Sequence, residues 1–376
     1  MKIKFCSIEH TTKSTWKYQK GRPNYLCNSN KEIDPTSFGC WTSAFKGEHL
    51  SLEFLRFGHN YRNNLFNKIH IAREKITGSK IYKNIDYIKQ FNVILVLLHK
   101  FSLSDMADFL SILREANNNA IILGSLAHCP GLIRKEIQNK KSFKEFLQCL
   151  KKLDLFINVY PETQEYFEIL AENLTFKLKE KIIPFLQFFP INFVKKFKQS
   201  YEKKEKIIHL AGPTDREDNL ANQYIAIALQ KKFPEFLITI NQWENLNIEP
   251  LKLARARYKI LPQMKWQDYL KELSRSFMVI NLDNIWTLGR VVSDCAGVGT
   301  PCIGINATNQ FRMFPKLRID DIAGLKKAIE LGERLIQEKV FYQETVDYAK
   351  EKIEKHGYKK RKRALLKVLT EKGFEF

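Results

Sequence analysis

The sequence lacks the patterns that mark a membrane-spanning, secreted or zinc-binding protein. No apolar run approaches the roughly 20 residues that a bilayer-spanning helix needs. The first residues, MKIKFCSIEH, are typical of a short amphipathic strand rather than a signal peptide. The seven cysteines form no C-x-x-C pair and no Cys/His zinc spacing. We therefore expect a reducing compartment, cytoplasmic or peripheral on the inner face of a membrane, and no structural zinc.

Acidic residues are too few to balance the basic ones. The chain has 62 Lys and Arg against 41 Asp and Glu, a formal net charge of +21. Such a balance predicts attraction to something anionic: nucleic acid, phosphorylated ligands or an acidic membrane surface. However, the sequence has no helix-turn-helix signature, RNA-recognition motif or zinc finger. It also has no D-x-D acid pair, the common arrangement for a metal-bridged diphosphate, so we expect no metal and no other cofactor.

What the sequence does have is a regular alternation of strands and helices along 376 residues, a length that exceeds the usual single core. Near-continuous apolar runs at 92–99 and 120–126 are the kind buried in parallel sheets, and a helical segment at 102–116 separates them. We predict two α/β domains with parallel sheets and right-handed crossovers. The predicted division is 1–205, 206–345 and a basic C-terminal helix at 346–376.

The second half is organised around the stretch 281–306, NLDNIWTLGRVVSDCAGVGTPCIGIN. The apolar strand SFMVIN (276–281) leads into it, Gly289 opens a helix that contains Asp294, and Gly297 and Gly299 end that helix. Gly-Thr-Pro at 299–301 separates it from the next strand, which a polar loop at 306–310 follows. Ligands of such units lie beyond the carboxyl ends of the strands, and a helix start beside a glycine suits a phosphate. Since Asp294 could accept hydrogen bonds from ribose hydroxyls, the stretch predicts a sugar-nucleotide pocket. The alternative is an ordinary α/β unit whose helix acid faces solvent.

These residues resemble the donor-binding segment of GT-B glycosyltransferases, particularly of the retaining family-four type. That family's pattern is an acid, Gly-aromatic-Gly, a second acid on the helix and Gly-x-Pro. Gly289, Asp294 and 299–301 match it, whereas Trp286 stands at the first acid and Asp283 comes three residues early. The resemblance implies a GT-B fold of two Rossmann-like, doubly wound parallel-sheet domains facing a central cleft. It also implies retaining sugar transfer from a UDP- or GDP-sugar, or else an epimerase or inactive relative.

Other segments match the same family in element order. His128 takes the place of the histidine that lies beside the transferred sugar, with His99 as second choice. Gly212 matches the first glycine of the donor domain, but the family's Arg and Lys positions fall on Pro213 and Asp218. The resemblance therefore implies His128 and Asp294 as catalytic residues. The implied donor-binding residues are Gly212, Thr214, Arg216, Lys265, Gly289, Arg290 and Asp294.

The expected partners follow from the resemblance and from the charge. They are a nucleotide-sugar donor and a glycan, lipid-linked or other acceptor, with an anionic membrane surface as a further candidate. The basic amphipathic linker at 189–206 suits either a bilayer surface or a hinge packed on the domain. The cluster KKRKR at 359–363 is a candidate phosphate or lipid-headgroup contact, or else a solvated face. A second hypothesis is a nucleic-acid-binding or nucleic-acid-modifying protein, and a transferase that glycosylates DNA would unite the two.

Overall fold

The computed structural model describes residues 3–9, 16–17, 39–57, 82–98, 103–126, 140–160, 163–172, 179–211, 217–242, 246–282, 287–305, 307–320 and 324–375. The chain forms two compact units, Met1–Phe188 with Lys362–Phe376, and Phe189–Arg361. Each unit has its own buried apolar core. The domain boundaries at 205 and 345 stay a prediction from the sequence.

The first unit is built on a sheet that has seven strands in the described residues. Its strands are β1 (Phe5–Glu9), β2 (Trp16–Lys17), β3 (Glu48–Ser51), β4 (Val93–Leu98), β5 (Ile121–Leu126), β6 (Leu155–Asn158) and β7 (Ile182–Pro184). They lie in the order β2-β3-β1-β4-β5-β6-β7, all parallel except β2, which is antiparallel to β3. Its helices are α1 (Gly39–Phe45), α2 (Leu52–Phe57), α3 (Leu103–Ala116), α4 (Lys140–Lys152) and α5 (Gln164–Glu172).

The second unit has a five-stranded sheet that is parallel throughout its described strands. These are β8 (Glu205–Leu210), β9 (Leu237–Asn241), β10 (Tyr258–Leu261), β11 (Ser276–Asn281) and β12 (Cys302–Gly304), in the order β10-β9-β8-β11-β12. Its helices are α6 (Ile191–Val194), α7 (Glu217–Lys232), α8 (Glu249–Leu253), α9 (Trp266–Arg275), α10 (Arg290–Val298), α11 (Thr308–Met313), α12 (Leu325–Gln337) and α13 (Lys339–Ile353). A last helix, α14 (Tyr358–Glu371), begins in this unit and ends in the first.

Burial explains why the apolar runs form strands. All six residues of β4 are buried, because β1 and β5 pair with its two edges and helices cover its faces. The same holds for β11, whose six residues are buried beside β8 and β12. In α/β sheets the strands are apolar on both faces for this reason. The parallel α/β architecture predicted from the sequence is confirmed.

The linker differs from its predicted form. The apolar sequence IIPFLQFF at 182–189 predicts a strand, but β7 ends at Pro184 and Phe189 forms a bridge with Gly357. Val194 is fully buried in the second unit, and Phe193 stacks on Trp266 with ring centroids 5.6 Å apart. These apolar residues are therefore packed against the domain, which is the hinge alternative, rather than presented to a bilayer. Within the described residues, no helix combines the length and apolar character that crossing a membrane requires.

Three smaller expectations are also corrected. The periodicity of 322–337 predicts a helix with Asp320 or Asp321 as its cap, but the helix begins at Leu325 after Gly324. Asp320 pairs with Arg318 and Lys327 instead, and Asp321 lies outside the described residues. Gly297, expected to end a helix, lies inside α10, where an added Cβ would meet Val194 Cγ1 at 2.5 Å. The polar segment after β12, expected as a loop, contains the helix α11.

A buried histidine in β8 makes the second unit sensitive to acid. His209 is fully buried, its Nδ1 lies 2.9 Å from Thr239 Oγ1, and burial lowers its pKa to about 4. The unfolded chain binds a proton near pH 6.5, so stability is complete above that pH and is lost as the pH falls towards 4. The shift corresponds to roughly 2–3 kcal/mol by pH 4.5.

We predict that His209→Gln reduces the acid-induced fall in melting temperature between pH 6.5 and 4.5. The measurement is a series of thermal melts across that window, each compared with the same protein at pH 7.5. Thr239→Val is the matched control, because it removes the hydrogen bond but leaves the titrating imidazole, and should keep the full fall. An unchanged fall in His209→Gln would show that other groups cause the acid sensitivity.

Candidate functional site

The candidate site lies at the carboxyl edge of the second sheet, next to the point where the strand order reverses. The strands β8 and β11 are neighbours there, and the chain leaves them in opposite directions along the sheet. Asn222 of α7 joins their ends: its Nδ2 donates to the Ala211 carbonyl at 3.2 Å, and its Oδ1 accepts from the Leu282 amide at 2.9 Å. Ligands of open α/β sheets bind at such a reversal.

A left-handed glycine starts the helix beside this edge. Gly289 has φ 75°, and an added Cβ would lie 2.9 Å from the Cβ of Ala307. The backbone around it is fastened to the next connection, since the Thr308 amide donates to the Thr287 carbonyl at 2.9 Å and the Asn309 amide to that of Leu288 at 3.1 Å. The first amides of an α-helix have no acceptor within the helix, so a helix start such as this one can accept an anion.

The side chains of α10 form a charged cluster just inside this helix start. Asp294 is 2% exposed; its Oδ1 accepts from Arg290 Nε at 3.3 Å and its Oδ2 from Trp266 Nε1 at 3.2 Å. The Arg290 guanidinium also lies over the ring of Trp266, 4.9 Å from its centroid, and over that of Phe189 at 5.4 Å. Burial raises the pKa of the Asp294 carboxyl, while Arg290 and the indole hydrogen bond act in the opposite direction.

The predicted site residues divide into two groups. Lys265, Gly289, Arg290 and Asp294 lie in one region, where Lys265 is exposed and directly precedes Trp266 at the start of α9. His128, Gly212, Thr214 and Arg216 lie outside the described residues, as do His99 and Asp283, so their roles stay predictions. The ribose role of Asp294 also stays a prediction, and its carboxylate would become accessible only if Arg290 or Trp266 moved.

Sequence reasoning missed the amides that hold this edge together. Besides Asn222, Asn309 is 2% exposed, and its Nδ2 donates to Ser293 Oγ at 2.6 Å and to the Gly289 carbonyl at 3.4 Å. No local pattern marked Asn222, which lies inside α7, whereas Asn309 belongs to the polar segment that follows β12. Hydrogen bonds stabilise buried amide groups, and those donated by Asn222 and Asn309 connect segments that are far apart in the sequence.

A lysine secures the other end of α10. Lys204 donates from Nζ to the Ser274 carbonyl and to Thr300 Oγ1, both at 2.6 Å. Burial, followed by the nearby charge of Lys198, lowers the pKa of Lys204 to about 7, while the thiol of Cys295 acts in the opposite direction. Because Lys204 belongs to the linker, it ties that segment to the turn at the end of α10.

Comparison with solved structures places this architecture in a known fold. An α-glucosyltransferase in complex with UDP-glucose and DNA containing an abasic site matches with a TM-score of 0.57 and 11% identity, over 98% of this chain and 99% of that one. A trehalose-6-phosphate protein of E. coli bound with UDP-2-fluoro glucose matches at 0.58 and 11%, over 88% and 87%. The pneumococcal O-GlcNAc transferase GtfA in complex with UDP and GlcNAc matches at 0.54 and 14%, over 77% and 59%.

These matches establish the fold class. No family model and no curated protein sequence matches the chain. The strand orders of the two sheets and the similarity to these glycosyltransferase structures show that the chain has the GT-B fold, built from two Rossmann-like α/β units. This confirms the fold predicted from the sequence and fits a chain whose motifs are degenerate.

The start of α10 should depend on Gly289. We predict that Gly289→Ala destabilises the protein by about 2 kcal/mol or more, because a left-handed alanine costs about 1 kcal/mol and its methyl group would also collide with Ala307. Thermal melts would measure the loss. Gly373→Ala is the control, since Gly373 has φ 84° but no atom within 4 Å of an added Cβ. Equal losses in the two variants would mean that contact with Ala307 contributes nothing.

Proposed function

We propose that this protein is a glycosyltransferase that moves a sugar from a nucleotide-diphosphate sugar, UDP-sugar first, to an acceptor. The proposal takes the reaction to be independent of metal and to retain the anomeric configuration. The observation that carries it is the start of α10 at Gly289, beside the strand-order reversal of a GT-B unit. Three proteins of similar fold carry UDP or a UDP-sugar at 11% to 14% identity, which supports the donor class.

In this proposal the protein stabilises the leaving diphosphate by fixed charge. The amides of Val291 and Val292 at the start of α10 would face the diphosphate, where the helix dipole favours negative charge. The basic residues Lys265, Arg290 and Arg216 would supply further positive charge. Donors that are already in place need no reorganisation as the bond to the sugar breaks, so their effect on the barrier is large.

The roles of the two predicted catalytic residues complete the scheme. Asp294 would accept hydrogen bonds from the ribose, and His128 would position the transferred sugar. For Asp294 this requires a rearrangement, because Arg290 and Trp266 now occupy both of its oxygens. Binding of a diphosphate would attract Arg290 away from its carboxylate, which would open one oxygen to the ribose.

The first test is a thermal-shift panel of UDP, GDP, ADP, CMP and TDP, each with and without EDTA. A ligand at 100 times its dissociation constant adds about 2.7 kcal/mol, or roughly 5–10 °C for a unit of this size. We expect UDP to stabilise the wild type with or without EDTA, and the ligand-induced shift to vanish in Asp294→Asn. No shift with any diphosphate would refute the donor site, and a shift that EDTA abolishes would refute metal independence.

A matched control separates the ribose role from simple loss of packing. Trp266→Phe removes the hydrogen bond to Asp294 but keeps both the carboxylate and a ring beneath Arg290. It should lower the melting temperature of the free protein while leaving the UDP-induced shift almost intact. If Trp266→Phe and Asp294→Asn lose the shift equally, the effect belongs to the packing of the cluster and not to contact with ribose.

DNA is a second candidate acceptor, favoured by two observations. The net charge is +21, and the similarity to the α-glucosyltransferase in complex with UDP-glucose and DNA extends over nearly the whole of both chains. Contacts to several phosphates make affinity fall steeply with salt, by about 10³ or more between 50 and 200 mM for six or more contacts.

We predict that UDP-glucose labelled in the sugar transfers label to a short DNA duplex at low salt, and that the logarithm of the apparent affinity falls linearly with the logarithm of the salt concentration. Label transfer is measured by gel, and a glycan mixture is the parallel acceptor. Transfer to glycans alone would exclude the DNA acceptor and leave the glycosyltransferase proposal standing. Salt-sensitive DNA binding in a protein that no diphosphate stabilises would favour a nucleic-acid-binding protein instead.

A further inference from the structure

The first unit contains a groove that the proposed reaction does not use. Its volume is about 760 Å³, within the usual range for small-molecule sites. It is lined at the start of β1, at the turn between α1 and β3, before β4, and on one face of α14. The lining residues are Ile3, Lys4, Phe5, Phe45, Lys46, Gly47, Glu48, Gln90, Phe91, Lys362 and Leu366.

This groove lies at the amino edge of the sheet, since β1, β3 and β4 are parallel and begin there. The sites of sugar-nucleotide chemistry in such sheets lie at the opposite, carboxyl edge. The candidate donor site is moreover in the second unit, whereas all of the groove's lining residues belong to the first. The groove therefore needs an explanation of its own.

Three lysines bring positive charge to the groove. Within the described residues, Lys4, Lys46 and Lys362 take part in no ion pair, and Lys362 Nζ lies 4.9 Å from the centroid of the Phe45 ring. The acid of the lining, Glu48, is 6% exposed, and its Oε2 accepts from Tyr87 Oη at 2.6 Å. The carboxylate is thus engaged away from solvent, and the accessible charges of the groove are positive.

The backbone supports this arrangement. Lys46 has φ 54°, a left-handed conformation that costs a lysine about 1 kcal/mol and a glycine almost nothing. Gly47 follows, and an added Cβ there would lie 2.2 Å from the Phe5 carbonyl oxygen, so this turn presses directly on β1. The close approach holds Lys46 at the rim of the groove.

The floor of the groove is apolar. Phe5 and Phe45 stack with centroids 4.7 Å apart, and Phe91 is also buried. Ile3 and Leu366 are only partly buried, and so offer apolar surface to a ligand. A site with cations at its rim and hydrocarbon at its base matches a molecule that has an anionic head and an apolar body.

We propose that this groove binds a phosphate monoester with an apolar body, the phosphate lying among Lys4, Lys46 and Lys362 and the body on the apolar floor, mainly against Ile3 and Leu366. The phosphate can come from a lipid headgroup or from a soluble ester, and the same groups would bind both. The titration of the lysines supports the placement: burial, and then the charge of Lys46, lowers the pKa of Lys362. A bound phosphate would relieve this repulsion between like charges.

The test measures binding of octyl phosphate to the full chain by isothermal titration calorimetry. Inorganic phosphate is the probe without an apolar body. Phosphatidylcholine vesicles with and without phosphatidic acid, followed by flotation, test the lipid source. We expect octyl phosphate to bind at least about tenfold more tightly than inorganic phosphate. Binding to phosphatidic acid vesicles would indicate that the natural ligand is a lipid headgroup. Binding to octyl phosphate without binding to these vesicles would indicate a soluble phosphate ester.

The double variant Lys46→Gln/Lys362→Gln should weaken octyl phosphate binding at least about tenfold. Its control, Lys144→Gln/Lys151→Gln, removes the same charge from the exposed face of α4 and should bind like the wild type. Circular dichroism melts confirm that both variants fold. Equal affinities in the two double variants would overturn the proposal, as would equal affinity for octyl and inorganic phosphate. A DNA duplex could also displace octyl phosphate from the wild type but not from Lys46→Gln/Lys362→Gln. That result would overturn the proposal and indicate a surface for polyanions instead.

Discussion

The geometry of the candidate site depends on one buried carboxylate and the guanidinium beside it. Asp294 is 2% exposed, so its charge needs a partner, and Arg290 supplies it from one turn earlier in the same helix. To do so, Arg290 folds back along α10 and lies against the rings of Trp266 and Phe189. One interaction therefore joins the start of α10 to α9 and to the linker. It also leaves the backbone amides, rather than the arginine, as the groups at the helix start.

The sequence predicts best those strands that are buried on both faces of the sheet. The strand β11 matches its predicted run SFMVIN residue for residue, and β4 lies within its predicted run, because continuous apolar stretches identify central strands. The strand β3 shows the limit. Its sequence EHLS is mostly polar, yet all four residues are buried. His49 is accommodated because its Nδ1 lies 2.9 Å from Ser7 Oγ, which in turn lies 2.6 Å from Thr42 Oγ1. Partners about 40 positions away are invisible to any local pattern, so the sequence of 39–80 predicts no more than a turn at 57–60.

The same limit applies to the site. The ends of α10 were predictable, since Gly289 and Gly299 both have positive φ and only glycine adopts it at little cost. The sequence did not predict that the Asp294 side chain points into the protein, because a single acid in a helix fits a solvent-facing position or a ligand-facing one equally well. The Trp266 indole and the Asn222 amide act across 28 and 60 positions of the chain. Tertiary contacts at such separations decide which polar residues stay accessible. These contacts result from packing in the folded chain and are not visible in a local sequence motif.

The net charge of +21 is informative only when the basic residues are sorted by their surroundings. Many lysines form exposed pairs, such as Lys252 with Glu249 and Lys271 with Asp268, and such pairs contribute little to stability or to recognition. Lys204 is different, because it is half-buried and its amino group donates to neutral oxygens within the fold. Lys46 and Lys362 form a third kind: accessible, close enough to repel, and without a carboxylate partner in the described residues. Cations held in that way raise the free energy of the empty protein, so an anion that binds them gains more than one that meets an isolated lysine. The arrangement of a few lysines therefore says more about a ligand than the net charge does.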